Sequence, residues 1–277
     1  MQKISEIKKL EQIAKQIRID VVKSIAEAGS GHTGGSLGLA DVFTVLYFNI
    51  LNHKPENPKW KNRDKLILSI GHVAPVQYSA LAHSGYFPVK ELLILRKLGS
   101  RLQGHPGKDF GLPGIEISSG SLGQGLSVAV GMAIAAKVDK KSCEIYSIHG
   151  DGELQEGSIW EAAMSASHYN LDNLIALVDR NFVQIDGKTK DVMNIEPLED
   201  KWKAFGWYVI NCNGNNISEL LDAFEKAKAL KGKPTVIIAE TKMGAGVKSI
   251  ENNHKWHGRA PIKEEAFNFI NEIKSSA

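Results

Sequence analysis

Gly150-Asp151-Gly152 closes one apolar run, 144–149, and Asn181 closes a second, 173–179, with 28 residues between Gly152 and Asn181. A hard cation such as Mg²⁺ wants oxygen ligands in near-octahedral geometry, with one or two from protein and the rest from water and phosphate. Asp151 and Asn181 offer two such oxygens. Parallel strands joined by a helix over 154–169 would bring both to the carboxyl edge of a sheet, where open α/β folds hold ligands. Gly150 and Gly152 carry no side chain where backbone must approach phosphate closely. The pattern reads as a magnesium diphosphate site; the plain alternative is a strand-end turn capped by Asn181.

Four of the nine histidines, His32, His72, His105 and His257, lie in glycine-containing loops. A neutral imidazole donates through one nitrogen and accepts through the other, which suits polyhydroxylated substrates and proton transfer. His53, His83, His149, His168 and His254 read as structural or solvated. Glu156 and Glu161, five residues apart after the metal loop, fit either an ordinary polar helix face or a working carboxylate.

The elements that must position these residues follow from periodicity. Ile4, Ile7, Leu10, Ile13, Ile17, Val21 and Ile25 recur every three or four residues, a long amphipathic helix with Gly29 as its stop. Further helices are expected over 41–51, 75–84, 88–98, 122–138, 198–205, 217–230 and 263–273, and strands over 65–69, 144–149, 173–179, 207–211 and 235–240. The segments 99–114 and 181–197 read as loops, and a long irregular segment in a compact domain is usually functional. Gly125, Ala129, Gly131, Ala133, Ala135 and Ala136 line one helix with small side chains, which suits a core or a subunit contact. Strands alternating with helices imply an α/β fold, a mainly parallel sheet with helices on both faces.

With 277 residues, 43% of them hydrophobic, the chain suits one large domain spanning 1–277. Thirty-four basic against 31 acidic residues give +3 with no like-charge block, so nothing argues for nucleic acid or a membrane surface. No apolar stretch reaches the ~20 residues of a membrane span, and the opening segment from Met1 lacks a signal-peptide core. Cys143 and Cys212 show no disulfide or metal spacing, which points to a reducing, cytoplasmic setting.

Taken in order, Ser30-Gly-His-Thr-Gly-Gly-Ser-Leu-Gly, Leu68-Ser-Ile-Gly-His, Gly104-His-Pro, Ser118-Ser-Gly-Ser-Leu-Gly-Gln-Gly, Gly150-Asp-Gly-Glu-Leu-Gln-Glu-Gly and Trp256-His-Gly resemble the transketolase family over essentially the whole chain. The Gly-Asp-Gly and Asn pairing is similar to the thiamine diphosphate signature. What matches is the amino-terminal, diphosphate-binding portion.

The resemblance implies thiamine diphosphate with Mg²⁺, or Ca²⁺ or Mn²⁺ in its place, the metal held by Asp151, Asn181 and the backbone carbonyl of Val183. It places His72, Gly120, Leu122, Gly150, Gly152, Glu153, Ile185 and His257 against the cofactor. His32, His105 and His257 would meet the sugar, and Glu156 would join a carboxylate network between the two active sites of a dimer. The implied activity is transfer of a two-carbon ketol unit between sugar phosphates. It needs a C-terminal transketolase subunit carrying the pyrimidine-binding and C-terminal domains, with its activating glutamate, in an α₂β₂ assembly. Met1 and the helix over 263–273 favour a natural chain end. One departure is Thr33, where the family has proline; it frees φ, restores a backbone donor and bears on how His32 is held. Another is His149, where the family has a small or apolar residue. A split transketolase for modified sugars, the α chain of a 2-oxo acid dehydrogenase and a non-catalytic cofactor-binding module stay open as alternatives.

Overall fold

A computed structural model describes residues 2–275; Met1, part of the opening segment read above, lies outside them. Helix α1 (Gln2–Ala28) buries Ile17, Val21 and Ile25 completely, and Gly29, at φ +66°, ends it by donating its N–H to Ile25. Next come α2 (Thr33–Gly38) and α3 (Ala40–Val45), which continues as a wider π turn to Ile50. Strand β1 (Lys65–Leu68) leads to α4 (Ala74–His83), and α5 (Gly125–Val138) precedes β2 (Ile145–Gly150). A crossover through α6 (Gly157–His168) reaches β3 (Leu174–Arg180). A small hairpin of β4 (Val183–Gln184) and β5 (Gly187–Lys188) follows, then α7 (Thr189–Val192) and α8 (Leu198–Ala204). The chain closes with β6 (Tyr208–Asn213), α9 (Ile217–Ala229), β7 (Thr235–Glu240) and α10 (Lys263–Ser275).

Five strands form one parallel sheet in the order β1-β2-β3-β7-β6. Along β3, Ile175 and Leu177 join a core with α1, α3, α4 and α9, while Ala176 and Val178 join a second core with α5, α6 and α8. Alternate side chains of one strand thus feed both faces, which is why the central strands read as unbroken apolar runs. No described helix is long and apolar enough to cross a membrane.

Several expected elements differ. The helix over 88–98 is only a 3₁₀ stretch, Val89–Ile94. Arg96 takes φ +59° and its N–H bonds the carbonyl of Leu102, so the chain turns away while Leu92 and Leu95 stay buried. Tertiary burial here overrides local helix preference. The expected helix over 41–51 is α3 with its π turn, and a further helix, α2, precedes it from Thr33 inside a glycine-rich segment that reads as a loop. Those glycines serve close packing: a Cβ on Gly34 would sit 2.7 Å from Met243, and one on Gly38 would sit 2.9 Å from the Lys242 carbonyl. The helix over 122–138 begins only at Gly125, because Gly123 is left-handed at φ +83°. The helix over 154–169 is a 3₁₀ turn, Gly152–Gln155, followed by α6, with Glu156 extended between them. The loop over 181–197 holds the β4-β5 hairpin and α7.

Candidate active site

Parallel pairing of β2 with β3 sets Gly150 opposite Asp179, so both strands release their chains at the same edge of the sheet. Asp151 and Asn181 stand just beyond that edge, both buried. With Val183 they line one wall of a cavity of about 350 Å³. The Asp151 carboxylate accepts from Gly152 N at 2.7 Å through Oδ1, and from Phe182 N at 2.8 Å and Arg180 Nη1 at 2.9 Å through Oδ2. Burial pushes its carboxyl above the usual carboxylate range despite Arg180 and these backbone donors. Behind it, Asp179 is fully enclosed and accepts from Thr241 Oγ1 and from Asn181 Nδ2 at 2.8 Å. Its carboxyl is pushed up to about 7, by burial first and by Asp151 as well, against the Thr241 and Asn181 bonds. Two buried acids side by side favour a cation at this wall.

The four loop histidines line the same cavity. His32 sits at the start of α2, His72 in the 3₁₀ turn before α4, His105 in the 99–114 loop and His257 after the 3₁₀ turn His254–Trp256. Their rings converge: His32 lies 5.0 Å from His72, 6.1 Å from His105 and 5.8 Å from His257, centroid to centroid. Burial lowers all four. His32 falls to about 4, through burial and then His257, His105 and Arg96. At neutral pH the cluster is therefore four uncharged donor–acceptor rings. His32 Nδ1 is buried without a partner among the described residues, a polar atom that a ligand would satisfy.

Thr33 shows what its departure does. Its hydroxyl donates to the Arg259 carbonyl at 2.6 Å, pinning the start of α2 to the segment that carries His257.

Glu153 also lines the cavity and is wholly buried. One carboxylate oxygen accepts from Ser69 Oγ and from Gly123 N at 2.8 Å. The other accepts from His149 Nδ1 and Gly150 N, each at 3.2 Å. Burial works against the charge, yet His149, Ser69 and Gly123 hold the carboxyl below its usual range. One side chain thus joins three loops that line the cavity. His149 is structural and has no solvent contact; its Nε2 meets Ser147 Oγ at 2.9 Å. Of the other histidines read as structural or solvated, His53 bridges Tyr86 and the Tyr47 carbonyl, His83 pairs with Asp20, His168 packs on Tyr169 and His254 is exposed.

Every expected site residue lines this one cavity: His32, His72, His105, Gly120, Leu122, Gly150, Asp151, Gly152, Glu153, Glu156, Asn181, Val183, Ile185 and His257. Leu122 and Ile185 form an apolar rim, partly exposed. Glu156 is an exposed residue at the start of α6, whereas Glu161 lies farther along the helix and takes no part in the wall. The sequence reading missed Gly35, Ile70, Gln155, Asp179 and Gln184. Asp179 has a signal, a carboxylate inside an otherwise apolar strand; Gly35, Ile70 and Gln155 lie inside the quoted motifs, and Gln184 has none.

The residues fit a divalent cation and a diphosphate. Asp151, Asn181 and the Val183 carbonyl are oxygen donors, as a hard cation requires. Among the described residues no cluster of three or more His, Cys, Asp or Glu side chains is poised for a metal.

Residues 9–274 match the family described as transketolase, thiamine diphosphate binding domain. The chain is 46% identical over 255 residues to the 6-deoxy-6-sulfo-D-fructose transketolase subunit SqwG of Clostridium sp. (strain MSTE9), covering 92% of each chain. It is 45% identical to an apulose-4-phosphate transketolase subunit of Actinobacillus succinogenes, covering 96% of each. The solved transketolase of Campylobacter jejuni superposes with a TM-score of 0.91 at 36% identity, over 97% of this chain and 43% of that one.

Proposed function

This chain belongs to the transketolase family through its thiamine diphosphate-binding domain, and from that premise we propose that it is the diphosphate-binding subunit of a two-chain transketolase. The reading rests above all on the convergence of four neutral imidazoles in one cavity with Asp151 and Asn181. Relatives matched nearly end to end and named as transketolase subunits support the division into two chains.

Asp151, Asn181 and the Val183 carbonyl would hold Mg²⁺, with Ca²⁺ or Mn²⁺ as substitutes, and Gly150 and Gly152 would let backbone approach the diphosphate. His72, Gly120, Leu122, Glu153 and Ile185 would frame the cofactor rings, the two apolar side chains excluding water from the thiazolium side. The chemistry supplied by the bound cofactor is a carbon nucleophile for a ketose carbonyl. Around the substrate, His32, His105 and His257 act as uncharged hydrogen-bond partners for hydroxyl and carbonyl oxygens and can take or give a proton there. His257 reaches both substrate and cofactor, and Glu156, at the mouth, faces the second active site of the assembly.

The partner would carry the pyrimidine-binding and C-terminal domains, the glutamate that activates the aminopyrimidine and the groups reading the far end of the sugar, in an α₂β₂ complex in the cytoplasm. The substrates are a ketose donor and an aldose acceptor bearing an anionic group. Xylulose 5-phosphate is the simplest donor; the names of the two subunit relatives favour a modified ketose as the second reading.

The test is ketol transfer by the complex captured with this chain, with Mg²⁺ and thiamine diphosphate, offered xylulose 5-phosphate or a 6-sulfo ketose and ribose 5-phosphate. Turnover that disappears when the partner is stripped supports the proposal. Turnover by this chain alone would contradict it.

A further inference from the structure

Arg180 ends β3 as a buried cation in a strand that is otherwise apolar apart from Asp179. It is not part of the cavity wall and reaches the cavity only through Asp151. One arm of its guanidinium, Nη1, donates to Asp151 Oδ2 at 2.9 Å; the other, Nη2, donates to Glu196 Oε1 at 2.6 Å. Its planar face lies 4.1 Å from the Phe182 ring. Glu196 is in turn tied to the start of α8, its Oε2 accepting from Leu198 N at 2.8 Å.

The two oxygens of Asp151 are unequal as a result. Oδ2 takes Arg180, Phe182 N at 2.8 Å and Thr189 Oγ1 at 3.3 Å. Among the described residues Oδ1 takes only Gly152 N, at 2.7 Å. A carboxylate oxygen has about two lone-pair sites, so Oδ2 is filled and Oδ1 keeps one free.

We propose that Arg180 is a positioning residue for the metal: its fork between Asp151 and Glu196 turns the Asp151 carboxylate so that Oδ1 is the oxygen presented to the divalent cation. This rests on the metal diphosphate reading above. Two effects of opposite sign follow from the geometry. A guanidinium bonded to a metal ligand repels a second cation, while fixing the ligand's orientation strengthens the metal bond. Glu196, on the other arm, offsets the repulsion, so orientation prevails.

The experiment uses the full chain assembled with its partner. Mg²⁺ is titrated at saturating thiamine diphosphate, and thiamine diphosphate at saturating Mg²⁺, for wild type, Asp151→Ala, Arg180→Met, Arg180→Lys and Glu196→Gln. Arg180→Met is expected to weaken Mg²⁺ binding about tenfold or more, while cofactor affinity at saturating Mg²⁺ changes by less than about threefold. Arg180→Lys, which keeps a charged donor without the fork, recovers part of the loss. A general structural defect would instead weaken both titrations alike. Mg²⁺ binding by Arg180→Met that equals or exceeds wild type overturns the inference. Should that variant not fold, Glu196→Gln carries the test, with weaker Mg²⁺ binding expected and unchanged binding overturning it. If wild type binds no Mg²⁺ with the cofactor, or Asp151→Ala binds it unchanged, the site reading falls and takes this inference with it. Loss in Asp151→Ala alone removes only the role of Arg180.

Discussion

The two walls of the cavity are built on opposite principles. On the Asp151 side the side chains are held by several bonds each: Asn181 by Asp179 and the Val183 N–H, and Asp151 by Gly152, Arg180 and Phe182, with one site of Oδ1 left open. On the histidine side the rings face one another, and His32 Nδ1 has no partner among the described residues. A densely bonded network fixes charges in place and suits a tightly held cofactor and metal. An unsaturated, neutral one leaves hydrogen-bonding capacity for a substrate that comes and goes. The contrast teaches which wall should govern binding and which should govern turnover.

The strongest way to break the comparison is His32→Ala. It should lower turnover of the reconstituted complex by about 10²- to 10⁴-fold while leaving thiamine diphosphate affinity nearly unchanged; steady-state rates beside a cofactor titration give both quantities. Loss of cofactor binding in this variant would erase the division of labour.

Glu153→Gln should come next. It turns an amide NH₂ towards donors that now meet a carboxylate oxygen, and stranding buried donors costs about 1–3 kcal/mol each. Because Glu153 joins the loops of Ser69, Gly123 and Gly150, unfolding stability and cofactor affinity should fall together. Denaturant unfolding that matches wild type would show that the strut carries nothing.

Acid gives a third test, of moderate size. His32, His72, His105 and His257 are lowered on folding, mainly by burial, so the unfolded chain binds more protons below the ordinary histidine range. Their contribution to stability is complete above about pH 6.5. It shrinks as pH falls from there toward the value of about 4 held by His32. Denaturant midpoints between pH 7.5 and 5 should fall for wild type and fall less for His32→Gln. Equal slopes would mean the rings are not held neutral.

The smallest effect is expected from Thr33→Val, which removes the bond to the Arg259 carbonyl and should cost about 1 kcal/mol. If that bond aligns His32 with His257, KM should rise more than cofactor affinity falls. Unchanged kinetics would leave Thr33 a packing residue.

The densely bonded wall is the more legible of the two. Asp151 and Asn181 end apolar runs, and apolar runs of that length become parallel strands whose carboxyl ends meet, so their proximity follows from pattern alone. The histidines share no periodicity. They come from four distant segments; their glycine-containing loops set them apart, and the resemblance implies that they share one site. What escaped was decided by tertiary contact. The helix α2 hides in a glycine-rich stretch because its glycines fit against Met243, Lys242 and Trp256. The segment over 88–98 was read as a helix because its apolar spacing is helical, while the turn at Arg96 depends on Leu102. Arg180 has no motif of its own, and its bonds to Asp151 and Glu196 exist only once β3 and the 181–197 segment are folded.

The most direct measurement is a side-by-side titration of thiamine diphosphate, with and without Mg²⁺, into complexes carrying wild-type chain, Asp151→Ala or His32→Ala. The account predicts Mg²⁺-dependent binding that Asp151→Ala abolishes and His32→Ala keeps within about threefold, since a histidine that serves the substrate adds little to a metal-held diphosphate. Binding that survives in Asp151→Ala, or is lost equally in both variants, would contradict it.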